Sequence, residues 1–420
     1  MSFSNKEKAD LRLHEHDHRE LNKKFHYYHL DESIGAGLPL WLPAGVVIRD
    51  ELEKLMRELE FLEHYQRVVS PHIAKEELYH QSGHLPYYED SMFPAMELEN
   101  FSYRLRPMCC PHHHKIFSAE PRSYRDLPVR LAEHGQVYRY ERSGVLSGLM
   151  RVRGLCQNDA HIYCRPDQVK EEIRKVLLMY HKAFMILQIS DFRLRLSKWD
   201  DQDPERSKKY VPEPENWQWS ENILREVLQE LNWPFDEAPG EAAFYGPKID
   251  VQLKNIYGRE ESVSSVQLDF ASPARFDLVY IDEKSQRQRP VIVHRAPLGS
   301  HERMVSFLIE RFKGAFPLWL APLQIKILAI ADRHRAWAEE MAISFHQDFL
   351  RVQVDARHEN LGRKIAEARA EKIPALVIIG DQELQAKRLN VRWRDEDSSE
   401  LYDPEEFQKI IKEKIKKRSS

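Results

Sequence analysis

Arg106 to Phe117 reads RPMCCPHHHKIF, so two adjacent cysteines and three adjacent histidines put five metal-ligating side chains within six positions. Thiolate and imidazole are donors that zinc favours. Neighbouring side chains diverge, however, by a half-turn on a strand and by about 100° on a helix. The five therefore do not converge on one ion. Zinc takes ligands gathered from different elements at about 2.0 to 2.3 Å, and a catalytic site keeps three protein ligands and one open position. Among the 20 histidines of the chain, two stand out by context. His161 lies in QNDAHIYC, beside acid and amide neighbours on a strand, and His294 lies in the apolar strand VIVHRAP. Pro111 suits the first turn of a helix. That places His112 to His114 in the same turn, as packing groups or supports for a ligand.

A second chemistry is suggested by arginines inside strand-like segments: Arg139, Arg151, Arg153 and Arg295, with Arg303 opening a helix after LGSHER. An arginine on a buried sheet face is costly without a partner. Its planar guanidinium matches phosphate or carboxylate in two-point fashion. Such a face is a candidate polyphosphate site, and solvated strands with scattered ion pairs are the alternative. Neither a Walker A loop nor GxGxxG is present, so a nucleotide would bind another way. His161 and His294 are expected on the same sheet face as these arginines.

The elements that must carry these residues are legible from periodicity. Residues 45–66 read as an amphipathic helix through Leu52, Leu55, Met56, Leu59 and Leu62, and RVVSPHI reads as a strand with Pro71 at its edge or end. VRLAEHGQVYRYERSG and LMRVRGLCQNDAHIYC read as two strands joined by a Ser-Gly loop. DQVKEEIRKVLLMYHKAFMIL is a helix with Asp167 as N-cap. KIDVQLKNIYGREESVSSVQLDF reads as a hairpin, and RPVIVHRAPLGSHERMVSFLIERF as strand, Pro-Gly turn and helix. After FPLWLAPLQ the pattern changes to β-α-β-α-β, from IKILAIA through RLNVRWR, a separate small α/β domain closed by a charged tail.

Composition sets the class. The chain has 420 residues, 42% hydrophobic and 31% charged, with a formal net charge of -4, so no global basic field advertises nucleic acid. No apolar run approaches the roughly 18 residues of a membrane span. The N-terminal MSFSNKEKADLRLHEHDHRE lacks an apolar core and is too acidic for a transit peptide. A cytoplasmic location and no membrane partner are expected. Cys109, Cys110, Cys156 and Cys164 are too few for a disulfide framework.

Taken together, the motifs resemble the threonyl-tRNA synthetases, class II aminoacyl-tRNA synthetases, over nearly the whole chain. GAGLPLWLPAG with the following helix and the Pro71 strand resembles class II motif 1, VYRYERSGVLSGLMRVRGLCQNDAHIYC contains motif 2, and FYGPKID, VQLDF and VIVHRAPLGSHER lead to motif 3. The resemblance implies an α+β fold: an antiparallel sheet flanked by helices over residues 1–318, then an α/β anticodon-binding domain over 319–420. It implies a homodimer built on motif 1. It implies that ATP and L-threonine give threonyl-adenylate, which is then transferred to the 3′ end of tRNA(Thr). By motif position, Arg139 holds the α-phosphate, Glu141 the adenine amino group, and Arg151 and Arg303 the outer phosphates with Mg²⁺. Met108, Gln157, Asp159, Tyr245 and Gln267 match threonine-contacting positions, with Gln267 also near ATP. Lys248 matches a substrate-contacting position, and His84 one near the terminal ribose of the tRNA. Cys110, His161 and His294 match the ligands of one zinc per catalytic domain, which separates threonine from the nearly isosteric valine through the hydroxyl. Glu383 and Arg392 match positions that read anticodon bases.

The chain departs from the family pattern at Cys109 (usually Asn), Leu155 (usually a Phe that stacks on adenine), Ser272 (usually larger and apolar) and His358 (usually Asn). It also begins near the catalytic domain, so it is expected to activate threonine without editing serine in cis. A synthetase-like regulator, or an enzyme loading threonine onto another acceptor, are the competing readings. Retention of Arg139, Arg303 and the zinc ligands speaks against the first, and of Glu383 and Arg392 against the second. A zinc hydrolase lacks HExxH.

Overall fold

Leu52, Leu55, Met56 and Leu59 recur at helical spacing, and helix α1 (Pro43–Leu62) buries all four on one stripe. These residues belong to a computed structural model that describes residues 14–200, 210–396 and 398–418. The first part of the N-terminal segment read against a targeting sequence lies outside the described residues. The chain divides into two units, Leu30–Pro39 with Leu52–Phe307, and Met1–His29 with Leu40–Glu51 and Leu308–Ser420.

The single strand expected over RVVSPHI is two pieces. β1 (Gln66–Arg67) joins the main sheet, and Ile73–Lys75 pairs with Phe101–Leu105 in a three-stranded sheet completed by Met96–Leu98. The break falls where Pro71 has no N–H to give a ladder and Ser70 turns its N–H and hydroxyl to Glu133, at 3.2 and 2.6 Å. Cys110–Phe117 is helix α2, opened by Pro111 as anticipated. The two motif strands are β2 (Val129–Tyr138) and β3 (Gly154–Cys164), paired antiparallel along their length. Helix α3 (Val169–Ile186) follows. Asp167 is not its N-cap, because a short 3₁₀ turn over Pro166–Gln168 intervenes and the Asp167 carboxylate pairs with Arg165 instead.

Five more strands and two helices follow: β4 (Arg193–Lys198), α4 (Pro214–Glu230), β5 (Phe235–Pro239), the hairpin β6 (Lys248–Lys254) and β7 (Glu260–Asp269), β8 (Val291–Ala296) and α5 (His301–Phe312). The eight-stranded order is β5-β4-β6-β7-β8-β3-β2-β1. It is antiparallel except at its two edges, β5/β4 and β2/β1. Gly299 makes the turn from β8 to α5. Its φ is +55°, and a Cβ there would sit 2.1 Å from the Val263 carbonyl oxygen, so only glycine fits.

The expectation that Arg295 shares a face with His294 is corrected by the pleat. Consecutive strand residues point to opposite faces. Arg295 is buried against Glu60 of α1, 2.9 Å away, with its guanidinium 4.3 Å over the Tyr65 ring.

The other unit holds β9 (Ile325–Ala329), α6 (Asp332–Gln347), β10 (Val352–Asp355), α7 (Leu361–Ala370), β11 (Ala375–Ile379), α8 (Asp381–Ala386), β12 (Leu389–Trp393), β13 (Ser399–Tyr402) and α9 (Pro404–Lys417). Its sheet order is β10-β9-β11-β12-β13, parallel for the first three strands. Ile325, Ile327, Val377, Ile379 and Val391 pack against Trp337, Phe345 and Phe407. The short β13 and α8 were not anticipated, because neither has enough residues to show a period.

Glu60 also accepts a hydrogen bond from the Asn158 amide at 2.9 Å. Glu60→Ala therefore strands a buried guanidinium and is expected to cost about 3 to 5 kcal/mol. Denaturant unfolding of the variant measures this, and an unchanged midpoint would contradict the assignment.

Candidate active site and metal centre

Register alone assembles the floor of the site. Lys248 of β6 pairs with Gln267 of β7, Gln267 with His294 of β8, and His294 with His161 of β3. Directly paired residues share a face, so four polar side chains form one row across four strands. Asp159 and Gln157 continue from His161 in steps of two along β3, on the same face. This face floors a cavity of about 410 Å³. Met108, Cys110, Arg139, Gln157, Asp159, His161, Tyr245, Lys248, Gln267, His294 and Arg303 all line it. Glu141, Arg151 and His84 do not. Arg151 lies half-exposed and holds Glu141, with its Nε 3.0 Å from Oε2.

At one end of the cavity, helix α2 brings Cys110 over the histidine row. One ligand atom from each of Cys110, His161 and His294 lies within 4.8 Å of the others, and all three residues are buried. The hydrogen bonds around the two imidazoles decide which nitrogen each offers. His294 Nε2 faces the Asp269 carboxylate at 2.9 Å and must donate to it, leaving the Nδ1 lone pair. His113 Nε2 faces Glu133 at 3.0 Å and likewise donates. With its single proton held there, His113 Nδ1 accepts from His161 Nδ1 at 2.8 Å, and His161 keeps a lone pair on Nε2. Burial, with His294 and His113 beside it, pushes His161 well below the ordinary imidazole range, so it is neutral. Burial likewise pushes the Cys110 thiol up, so that a bound cation is what would ionise it. The donors fit zinc in type, number and burial, with the cavity as the open side.

The carboxylates are anchored in turn. Asp269 Oδ1 accepts the N–H groups of Ala271 and Ser272 at 2.9 and 2.8 Å. Burial tends to raise the Glu133 carboxyl, but hydrogen bonds from His113, Ser70 and Arg106 outweigh it and hold the pKa down to about 2. Arg106 is fully buried, 2.9 Å from Glu133. His114 Nδ1 meets the Tyr163 hydroxyl at 2.9 Å. His113 thus supports His161, His114 packs on Tyr163, and neither ring nitrogen of the buried His112 has a hydrogen-bond partner. Sequence reasoning missed Glu133, Asp269 and Arg106, although a carboxylate inside VRLAEHG or at the end of VQLDF is itself a signal of a buried partner.

Around this centre the other polar groups are held. The Tyr245 hydroxyl donates to the Gln267 side-chain oxygen, and its ring stacks on His294 at 5.0 Å. Lys248 Nζ donates to Asp250 at 2.7 Å. Burial raises the Asp159 carboxyl. His84 sits behind Cys110, with Nε2 4.0 Å from its Sγ and Nδ1 2.7 Å from the Ser82 hydroxyl, and burial pushes its pKa down to about 3. Arg303 donates to the carbonyls of Met150 and Ser262 at 3.1 and 2.7 Å. Burial lowers its pKa, and the charges of Arg139 and Arg151 add to the lowering.

Cys109 is outside the Cys110–His161–His294 cluster. It packs with Val137, Val152 and Leu155, and Gly135 gives it room, since a Cβ there would lie 2.3 Å from the sulfur. Two of the departures, Cys109 and Leu155, therefore share one apolar contact set. The Ser272 N–H donates to the Asp269 carboxylate, and His358 is exposed beside Asp332 at 3.0 Å. In the other unit, Asn390 and Arg392 are two apart on β12 and project from one face. Glu383 takes the Asn390 amide there at 3.3 Å.

The tRNA synthetase class II core domain (G, H, P, S and T) matches residues 95–312, and the anticodon binding domain matches residues 320–414. The threonine–tRNA ligase of Deinococcus radiodurans is 45% identical over 96% of this chain and 62% of its own length. Threonine–tRNA ligase 1 of Bacillus subtilis is 43% identical over 98% of this chain and 65% of its own length. The chain thus spans less than two thirds of these curated relatives. Among solved structures, the RNA binding domain of threonyl-tRNA synthetase from Cryptosporidium parvum superposes with a TM-score of 0.89 at 33% identity, covering 94% of this chain and 98% of that one. A putative threonyl-tRNA synthetase from Aeropyrum pernix gives 0.82 at 28% identity, covering 96% and 97%.

The Glu133 network carries a pH signature. The folded pKa of about 2 lies below the ordinary 4.5, so its stabilisation is full above pH 4.5 and is lost as pH falls toward 2. The shift corresponds to about 3 kcal/mol. Glu133→Gln is expected to flatten the acid limb of the stability–pH curve, and an unaltered limb in that variant would contradict the network.

Proposed function

This chain belongs to the threonyl-tRNA synthetases of class II, and from that premise we propose that it is a threonine–tRNA ligase. It activates L-threonine with ATP, releasing pyrophosphate, and transfers the threonyl group to the 3′-terminal ribose of tRNA(Thr). The observation that carries this reading is that the Cys110–His161–His294 cluster and the guanidinium groups of Arg139 and Arg303 line one cavity.

The threonine carboxylate is already a nucleophile, so the protein's task is to position it and to neutralise phosphate charge. Arg139 takes the α-phosphate. Arg303 and Arg151 take the outer phosphates together with Mg²⁺, and Glu141, now held by Arg151, turns to the adenine amino group. Burial lowers the Arg303 pKa and the charges of Arg139 and Arg151 add to it, and a polyanion among these cations relieves that strain. Met108, Gln157, Asp159, Tyr245, Lys248 and Gln267 orient the amino acid, and Asp159 accepts from the threonine hydroxyl. His84, neutral in its buried setting, serves the ribose of the tRNA end. Cys110, His161 and His294 hold one zinc, which when bound supplies a Lewis-acid position for the amino and hydroxyl groups that valine cannot fill. Glu383 and Arg392 read anticodon bases from their shared face.

The dimer expected from motif 1 has support in exposed apolar side chains beside it. Phe61 is 78% and Val69 88% exposed in the isolated chain. Sedimentation is expected to give a dimer that Val69→Asp weakens, and a stable wild-type monomer would count against it. The chain is expected in the cytoplasm. Among the described residues, no helix is long and apolar enough to cross a membrane.

ATP–pyrophosphate exchange tests the chemistry. Threonine and serine are expected to support exchange and valine to remain silent, with charging of tRNA(Thr) following. No exchange with threonine would sink the reading. Cys110→Ala should lower bound zinc by one per chain and abolish the exclusion of valine, whereas Cys109→Ala should keep both.

A further inference from the structure

The opposite face of the same sheet carries a second cluster. Cys156 alternates with Gln157 along β3, so its thiol points away from the cavity. His134 of β2 pairs with Asn158 and shares that rear face. Helix α1 contributes Glu53, seven residues from Glu60 on the same stripe. The first residue of α5 is His301. One ligand atom from each of Glu53, Cys156 and His301 lies within 4.8 Å of the others. Cys156 and His301 are essentially inaccessible, and the Glu53 side chain is 19% exposed. The ring centre of His134 is 5.3 Å from that of His301, and neither His134 ring nitrogen has a hydrogen-bond partner.

We propose that Glu53, Cys156 and His301, with His134 as the fourth donor, form a second metal site for a borderline divalent cation, zinc by its donor set, independent of the cavity.

Two observations favour a cation over an ordinary polar cluster. The donors come from a helix, two strands and the start of another helix, the arrangement of a closed four-ligand structural site. Charge also balances. Cys156 gives its proton to solvent on binding, and the thiolate and the Glu53 carboxylate together neutralise a divalent ion, so the site remains buried without net charge. The next residue, Glu302, accepts the Cys156 N–H at 3.0 Å and ties the same segments together. A metal here would pin α1 and β3 to the start of α5, two residues before Arg303. It thereby holds a phosphate-binding arginine from behind.

Metal analysis of the purified full chain tests this. Two zinc ions per chain are expected. Cys156→Ser and His301→Ala should each leave one, Cys110→Ala should also leave one, and Cys110→Ala with Cys156→Ser should leave none. A wild-type count of one, lost entirely in Cys110→Ala, would overturn the second site while leaving the first intact. A count unchanged by Cys110→Ala would instead overturn the cavity assignment. Should Cys156→Ser not fold, cobalt titration of Cys109→Ala with Cys110→Ala keeps the question open to decision. A thiolate-to-cobalt charge-transfer band in that variant supports the rear site, and its absence overturns it.

Discussion

Two buried imidazoles in one row of a sheet can be tolerated only if each finds a partner for its proton, and the site follows from how those partners are supplied. Asp269 takes the proton of His294, and Glu133, through His113, orders that of His161. Each histidine is left with one lone pair, near the thiol that α2 brings. The cost of burying the carboxylates is offset by backbone N–H groups at Asp269, and by Ser70, Arg106 and His113 at Glu133. Removing any one of these would leave a buried polar atom unmet, so the network specifies the site as well as stabilising the fold.

The same sheet separates two kinds of charge. Arg139 and Arg303 line the cavity, and burial, with the charge of Arg139 added, lowers the Arg303 pKa. Arg295, one residue from His294, is turned to the rear, where Glu60 and Tyr65 receive it. Alternation along β8 thus assigns an imidazole to the cavity face and a structural cation to the core from adjacent positions.

Much of this was legible in the sequence. The helices with clear periodicity, the two long motif strands, the hairpin and the β-α-β pattern of the C-terminal part emerge from spacing. The choice of Cys110, His161 and His294 came from resemblance, and the structure brings those three together. Each failure has a specific physical cause. RVVSPHI is broken by Pro71 and by a serine recruited to Glu133, and that recruitment depends on a residue 63 positions away. Asp167 satisfies the general rule for a cap but is taken by Arg165 two residues earlier. Arg295 cannot share a face with His294, because consecutive residues of one strand alternate. The supporting carboxylates were missed because their partners are distant in sequence. Cys109 looked like a ligand and is a packing residue in a pocket left by Gly135.

The central claim is that Asp269 and Glu133 fix which nitrogen His161 and His294 each offer to the cavity. Imidazole nitrogen-15 NMR of the metal-stripped chain at neutral pH measures this most directly, with assignment through His161→Asn and His294→Asn. The account predicts a proton on His294 Nε2 and on His161 Nδ1. The reverse tautomer at either ring would contradict it.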